Sequence, residues 1–264
     1  MPTQRIRLDE LLVRRGHFAD TESAARAIYA GEVTSPKTDD LKPGTVVLYD
    51  IELSVKKSRD FVSRGGQKLA HALDVFAIDV TGLCCIDIGA GSGGFTDCLL
   101  QRGATAVTAV DVGYGQFDWS LRHDVRVTLM ERTNFSRLVP PVPEEAFDLA
   151  VVDLSFTRSS GLLGLIKRFV KPHGQILILV KPQFELSESL QQSDGFVAGV
   201  VVDSALHVEV LNQFMAKVDE AAITPRGLIP SPIKGAEGNH EFLFWATLGG
   251  IPVNIDIQEV VSQI

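Results

Sequence analysis

The chain has 264 residues, 45% of them apolar, and a formal net charge of −8. This is enough for one large domain or for a medium domain with a small companion. No apolar run approaches the roughly 18 to 20 residues of a membrane span, and the acidic balance argues against a generic nucleic-acid binder. The N-terminal MPTQRIRLDELL lacks the apolar stretch of a signal peptide, so a cytoplasmic location is expected. Cys84, Cys85 and Cys98 have no metal-ligand spacing; reduced thiols and no bound metal are expected, with Cys84 and Cys85 packed in a core.

In chain order, RLDELLVRRG sets Leu8, Leu11 and Leu12 at helical spacing and stops at Gly16. TESAARAIYAG is a second short helix, with Gly31 as its C-cap. The stretches EV, LKPGTVVLYD and IELSVKK then predict short strands and turns. The domain boundaries expected are a small αα-turn-β unit over 1–58, a polar, Gly-rich linker over 59–66 and a large domain over 67–264. There QKLAHALDVF predicts a helix and LCCIDIGAG a strand running into glycines. GFTDCLLQRG, SGLLGLIKRFV and DSALHVEVLNQFMAKV predict further helices. AVTAVDVG, RVTLME, FDLAVVDLSF, GQILILVKP and NHEFLFWATL predict further strands. Apolar strands alternating with amphipathic helices imply an α/β, Rossmann-like, mostly parallel sheet covered on both faces. The polar segment 185–199 reads as a mobile loop beside the ligand edge.

Charge is uneven. Residues 1–68 hold 12 Lys and Arg against 10 Asp and Glu, and the rest hold 13 against 23. The basic residues cluster at Arg5, Arg7, Arg14 and Arg15, and again at Lys56, Lys57, Arg59, Arg64 and Lys68. Such a face can bind phosphates in a salt-dependent way, although a solvated surface would look the same.

The loudest signal is CCIDIGAGSGGFT. Gly89, Gly91 and Gly94 satisfy G-x-G-x-x-G, and Asp111 follows 22 residues after Gly89, which is formally the dinucleotide fingerprint. The competing ligand is S-adenosylmethionine, which carries an ammonium as well as a carboxylate. Asp87, just before the first glycine, suits that ammonium and is poorly suited to a pyrophosphate. The helix beginning near Phe95 offers free N–H groups to an anion. Asp111 would bind ribose hydroxyls with either ligand, and Asn134 could contact an adenine edge. S-adenosylmethionine is the favoured cofactor.

Strand ends converge beside this loop. Asp153 ends FDLAVVD, and Lys181 ends ILILVK just before a proline. A lysine there is ordinarily a solvated strand end. Glu241 opens the late strand, whose start reaches the same edge if it enters antiparallel, and Lys68 lies at the head of the helix before the first strand. In a parallel sheet ligands sit at the carboxyl ends. A lysine at that edge could take the proton of a ribose 2′-hydroxyl or stabilise its alkoxide, with Asp153 and Glu241 orienting it.

RLDELLVRRG, FVSRGGQKL, DIGAGSGGFTDCLLQRGA, DVGYGQFDWSLR, ERTNF, DLSF, VKPQFE and GNHEFLFW occur in that order over nearly the whole chain. In these stretches the sequence resembles the TlyA family, known both as hemolysins and as ribosomal-RNA 2′-O-methyltransferases, with a large domain similar to FtsJ-type enzymes. The resemblance implies an N-terminal S4-like RNA-binding domain using Arg5, Arg7, Arg14, Arg15 and Arg64. It implies a catalytic tetrad of Lys68, Asp153, Lys181 and Glu241. It also implies S-adenosylmethionine at Asp87, Gly89, Ala90, Gly91, Gly93, Gly94, Phe95, Asp111 and Asn134, with ribosomal RNA or ribosomal subunits as partner. The turn after the second helix departs from the usual V-x-V-x-G, reading EVTSPKTDD, and Phe61 stands where Trp is common. The alternatives are a membrane-active hemolysin, a non-catalytic RNA-binding or assembly factor, and, last, an NAD-dependent oxidoreductase.

Overall fold

The computed structural model describes residues 4–18, 20–55, 60–142 and 146–264. Lys56, Lys57 and Arg59 of the basic cluster, and the expected boundary after residue 58, lie outside the described residues. The chain divides into two compact units, Met1–Arg59 and Asp60–Ile264.

In the first unit, α1 (Leu8–Arg14) and α2 (Thr21–Tyr29) pack their apolar stripes on two short antiparallel pairs. These are β1 (Arg5–Arg7) with β3 (Val46–Leu48), and β2 (Val33–Thr34) with β4 (Ser54–Val55). Leu8, Leu11, Leu12, Ala24, Ile28 and Val33 form the core. Asp20 caps α2 through the Ser23 N–H, and Gly16 and Gly31 follow the two helices at positive φ. The sequence reading gave no strand at Arg5–Arg7: three residues with arginines at both ends carry no apolar alternation beyond Ile6.

The second unit is built on a seven-stranded sheet. In chain order its elements are α3 (Arg64–Val75), β5 (Cys84–Ile88), α4 (Gly94–Gln101), β6 (Ala106–Val110), α5 (Trp119–Arg122), β7 (Val127–Met130), β8 (Phe147–Val152) and α6 (Leu163–Ile166). They continue with β9 (Val170–Val180), α7 (Pro182–Glu185), β10 (Phe196–Val197), β11 (Val200–Val201), α8 (Ser204–Glu220), β12 (Thr224–Pro230), β13 (Phe242–Thr247) and α9 (Ile257–Val261). The strand order is β12-β13-β9-β8-β5-β6-β7. The strands from β9 to β7 are mutually parallel, and β13 runs antiparallel to both its neighbours.

Alternation along the strands fills two separate layers. Ile86, Ile88, Ala150, Val152, Ile176 and Ile178 face one layer together with Phe214 of α8. Cys85, Leu149, Val151, Leu177, Leu179 and Leu243 face the other, with Leu69 and Leu73 of α3 and Leu99 of α4. Burial pushes the Cys85 and Cys98 thiols up to about 12, so these two are inert packing groups. Cys84, expected in the core, is exposed, because it is the first residue of β5 and points to the face opposite Cys85.

Four further expectations need correction. The linker expected over 59–66 ends inside α3, whose first turn is Arg64–Gly66, and Phe61 packs against Gly66. SGLLGLIKRFV is one turn of α-helix between two 3-10 turns, since Gly161 and Gly164 weaken a continuous helix. Residues 185–199, expected as a loop, hold a 3-10 turn and start the hairpin β10–β11, anchored by buried Leu186. The sequence reading also missed β12, whose Pro225 and Pro230 argue against a strand. It is an edge strand, with a bulge between Pro225 and Gly227, and there proline is tolerated.

Candidate active site

Strand parity places the site. Asp87 shares a face with Cys85, Asp153 continues the face of Val151, Lys181 that of Leu179, and Glu241 that of Leu243. All four therefore start on the layer occupied by α3 and α4, at the carboxyl edge of the parallel strands. Because Phe242 pairs with Val180 in antiparallel register, Glu241 falls opposite Lys181.

Lys68 enters through a close contact of two helix starts. Gly65 and Gly66 of α3 lie against Gly94 of α4, where a Cβ would come within 2.9 Å of the Gly66 nitrogen. One turn later Lys68 is buried and donates to the carboxylate of Glu241, itself buried. The tetrad thus forms two pairs. Lys181 Nζ lies 2.7 Å from Asp153 Oδ1 and donates to Ser155 Oγ at 2.9 Å. The approach to Asp153 is off the hydrogen-bond axis, so this is a charge contact, and the ammonium keeps donors for another oxygen. The expectation that Glu241 orients Lys181 is corrected: its carboxylate is taken by Lys68.

Sequence reading missed three supports. Ser155 carried no signal beyond the motif DLSF. Gly235 leaves room for the Glu241 carboxylate: a Cβ there would lie 2.6 Å from its Oε1 and would displace it. Glu185 is buried and accepts from the hydroxyls and N–H groups of Ser159 and Ser160. It ties the segment after β8, which carries Asp153, to the segment after β9, which carries Lys181. Between them Phe156 is 89% exposed at φ +61, with its ring 5.2 Å from that of Phe184.

The glycine loop fits S-adenosylmethionine. Gly89, Gly91 and Gly93 have positive φ. A Cβ at Gly89 would meet Asp153 O at 2.4 Å, and one at Gly93 would meet Leu121 at 2.6 Å, whereas at Gly91 it would meet nothing within 4 Å. The chain can therefore pack tightly behind the loop and admit a ligand in front of it. The first turn of α4 has no side-chain cap, which leaves N–H groups for an anion such as the ligand carboxylate. Asp87 is fully buried; its Oδ2 accepts from Thr96 Oγ1, while its Oδ1 has no partner. An unpaired buried acceptor costs about 1 to 3 kcal/mol, and a ligand ammonium would satisfy it. Asp111 accepts from the Gly91 and Gly113 N–H groups, which holds the loop against the edge where a ribose would lie. Ala90 and Phe95, expected at the cofactor, bury their side chains in the α3–α4 layer, so only their backbone is left for the ligand. Asn134 uses its carbonyl oxygen to cap the 3-10 turn that begins at Phe135, which leaves its NH2 for an adenine edge.

Burial pushes the Asp87 carboxyl up to about 7, against the opposing Thr96 hydrogen bond. A folded value above the unfolded one means that stability present below about pH 4 is lost as pH rises through 7. Cofactor binding has the opposite dependence, because the ligand ammonium needs the ionised carboxylate. Affinity for S-adenosylmethionine should fall by about tenfold per pH unit below 7, with proton release on binding. Asp87→Asn should remove this dependence; equilibrium titrations between pH 5.5 and 7.5 read it.

Among the basic residues expected to contact RNA, Arg7 is held in a bidentate pair with Asp9 and Arg15 donates to the carbonyls of Tyr49 and Ile51. These two support the first unit's own structure. Arg5, Arg14 and Arg64 are exposed with no ion-pair partner among the described residues. The described residues hold no cluster of three metal ligands and no helix long and apolar enough to cross a membrane.

A mostly parallel sheet with an antiparallel β13, a glycine loop after the interior strand β5 and an acid following the next strand define an S-adenosylmethionine-dependent methyltransferase. A solved structure from Listeria monocytogenes, described as an S-adenosylmethionine-dependent methyltransferase, shares this fold at 14% identity and a TM-score of 0.51. Residues 61–248 match the FtsJ-like methyltransferase family, and the chain belongs to it. It is 41% identical over 244 residues to the 16S/23S rRNA (cytidine-2′-O)-methyltransferase TlyA of Mycobacterium tuberculosis, covering 92% of this chain and 90% of that one. A Streptococcus thermophilus structure provisionally called a hemolysin superposes with a TM-score of 0.73 at 38% identity, covering 99% of this chain and 96% of the other.

Proposed function

We propose that this enzyme transfers the methyl group of S-adenosylmethionine to a ribose 2′-hydroxyl of ribosomal RNA, in the cytoplasm, with ribosomal subunits as substrate. The observation that carries the reading is the placement of Lys181 with Asp153 and Ser155 at the strand edge, next to the glycine loop. When bound, the cofactor supplies an electrophilic methyl group. Lys181 donates an N–H to the 2′-oxygen and lowers the cost of its negative charge; the hydroxyl proton passes to a carboxylate oxygen of Asp153, which Lys181 contacts. The Lys68–Glu241 pair fixes the start of β13 beside them. Exposed Phe156 offers a stacking face to an unstacked base, the usual way single RNA bases are held. The first unit would act as an S4-like RNA module through Arg5 and Arg14, and Arg64 of the second unit would add a phosphate contact.

The substrate is tested by offering methyl-labelled S-adenosylmethionine with small subunits, large subunits and free ribosomal RNA, none previously modified. Stoichiometric label in one of the ribosomal substrates is the expected result. No label in any of the three, with cofactor binding demonstrated, would overturn the substrate assignment.

A further inference from the structure

A cavity of mixed polar and apolar lining, to which no residue of the glycine loop contributes, lies on the large unit. It measures about 280 Å³ and is lined by His207, His240, Lys234 and Ser204, with Val200 and Val202 among its apolar walls. His207 belongs to α8 and is 2% exposed. Its Nδ1 lies 3.0 Å from the carbonyl of Asp203, which can only accept, so Nδ1 carries the hydrogen. The other nitrogen, Nε2, is buried with no partner. His240 stands edge-on to it, with ring centroids 6.0 Å apart, and has no hydrogen-bond partner among the described residues. Lys234 is exposed and has no carboxylate within ion-pair distance among the described residues.

Three basic side chains thus share one cavity with no acidic side chain in its lining. Burial lowers the affinity of both imidazoles for a second proton, and Lys234 adds to this at His240. Neighbouring acids are engaged elsewhere: Asp203 caps α8 through the Ala205 N–H, Glu237 sits over Gly199, and the carboxylate of Ile264, which also lines the cavity, makes no ion pair with the three bases among the described residues. Ser204, the first residue of the 17-residue α8, brings the positive end of a long helix to the same wall. An oxyanion would satisfy every one of these features at once. It would pair with Lys234, make protonation of His207 and His240 favourable, and turn the bare Nε2 into a donor.

We propose that this cavity binds a phosphate group, with His207, His240 and Lys234 as its ligands. The cavity adjoins the active site through the chain itself, because His240 immediately precedes Glu241. A phosphate held there would bear on the strand start that carries the Lys68 partner. The phosphate is either part of the RNA backbone, a choice that rests on the substrate proposed above, or a free phosphate ion.

The test observes the imidazole nitrogens of ¹⁵N-histidine-labelled protein while inorganic phosphate replaces chloride at constant ionic strength. Saturable shifts of both His207 and His240 are expected, and their loss in Lys234→Ala, with cofactor affinity unchanged in that variant. No saturable shift, or the same shift with chloride, would overturn the site. Because no methyl transfer is read, this arm stands whether or not ribosomal RNA is the substrate. A second arm compares wild type and Lys234→Ala for the salt dependence of binding to a ribosomal RNA fragment. A slope of log affinity against log salt that is shallower by about 1 in the variant assigns the site to the RNA backbone. An unchanged slope, with saturable phosphate shifts in the wild type, overturns that source and assigns the cavity to the free ion.

Discussion

Lys181→Ala is expected to lower the rate of methyl transfer by roughly 10² to 10³-fold, the range typical of a lost donor to a developing oxyanion, while leaving cofactor affinity within about twofold of wild type. The expectation follows from geometry. Lys181 follows the last residue of β9, touches Asp153 and Ser155, and has no hydrogen bond or ion pair to the glycine loop among the described residues. The fold should survive, because Lys181 lies at the edge of the core and its removal leaves Asp153 partly exposed to water. Single-turnover methyl transfer with saturating cofactor measures the effect. A loss confined to cofactor binding would move Lys181 out of the reaction and into the binding pocket.

Lys68→Met should act mainly on stability. The Lys68–Glu241 pair is buried on both sides, and removal of one partner leaves an uncompensated charge, at a cost of about 3 to 5 kcal/mol. For a unit of this size that is a fall in Tm of roughly 6 to 20 °C. Lys68→Met/Glu241→Met removes both charges and should recover most of the loss, since apolar side chains of similar volume often replace a buried ion pair at little cost. The double variant should still methylate at least about tenfold more slowly, because the site field has changed. Thermal melting and initial rates on the same preparations separate the two effects. A double variant no more stable than Lys68→Met would show that the two groups are not energetically coupled.

The site was legible in the sequence where a strand ended in a charged residue. Asp153 and Lys181 each follow a run of β-type apolar residues, Asp87 stands one residue before the end of its strand, and parity then fixes the face they share. The pairing was not legible. Whether Glu241 meets Lys68 or Lys181 depends on the close packing of Gly65, Gly66 and Gly94 and on the space that Gly235 leaves, and none of these appears in a one-dimensional pattern. Local propensity also failed where tertiary position overrules it. β12 carries prolines that only an edge strand tolerates, and residues 185–199 look like bare loop until Leu186 and Glu185 are seen to be buried. The arginines of the first unit are a similar case: clustering marks a basic face, yet Arg7 and Arg15 spend their donors on Asp9 and on two carbonyls.

The most direct measurement concerns the target atom. Ribosomal RNA labelled by the enzyme from methyl-labelled S-adenosylmethionine is hydrolysed completely in alkali, where a free 2′-hydroxyl is needed for cleavage. Label recovered in alkali-resistant dinucleotides is the expected result and places the methyl group on ribose. Label recovered only in mononucleotides would place it on a base and contradict the role given to Lys181.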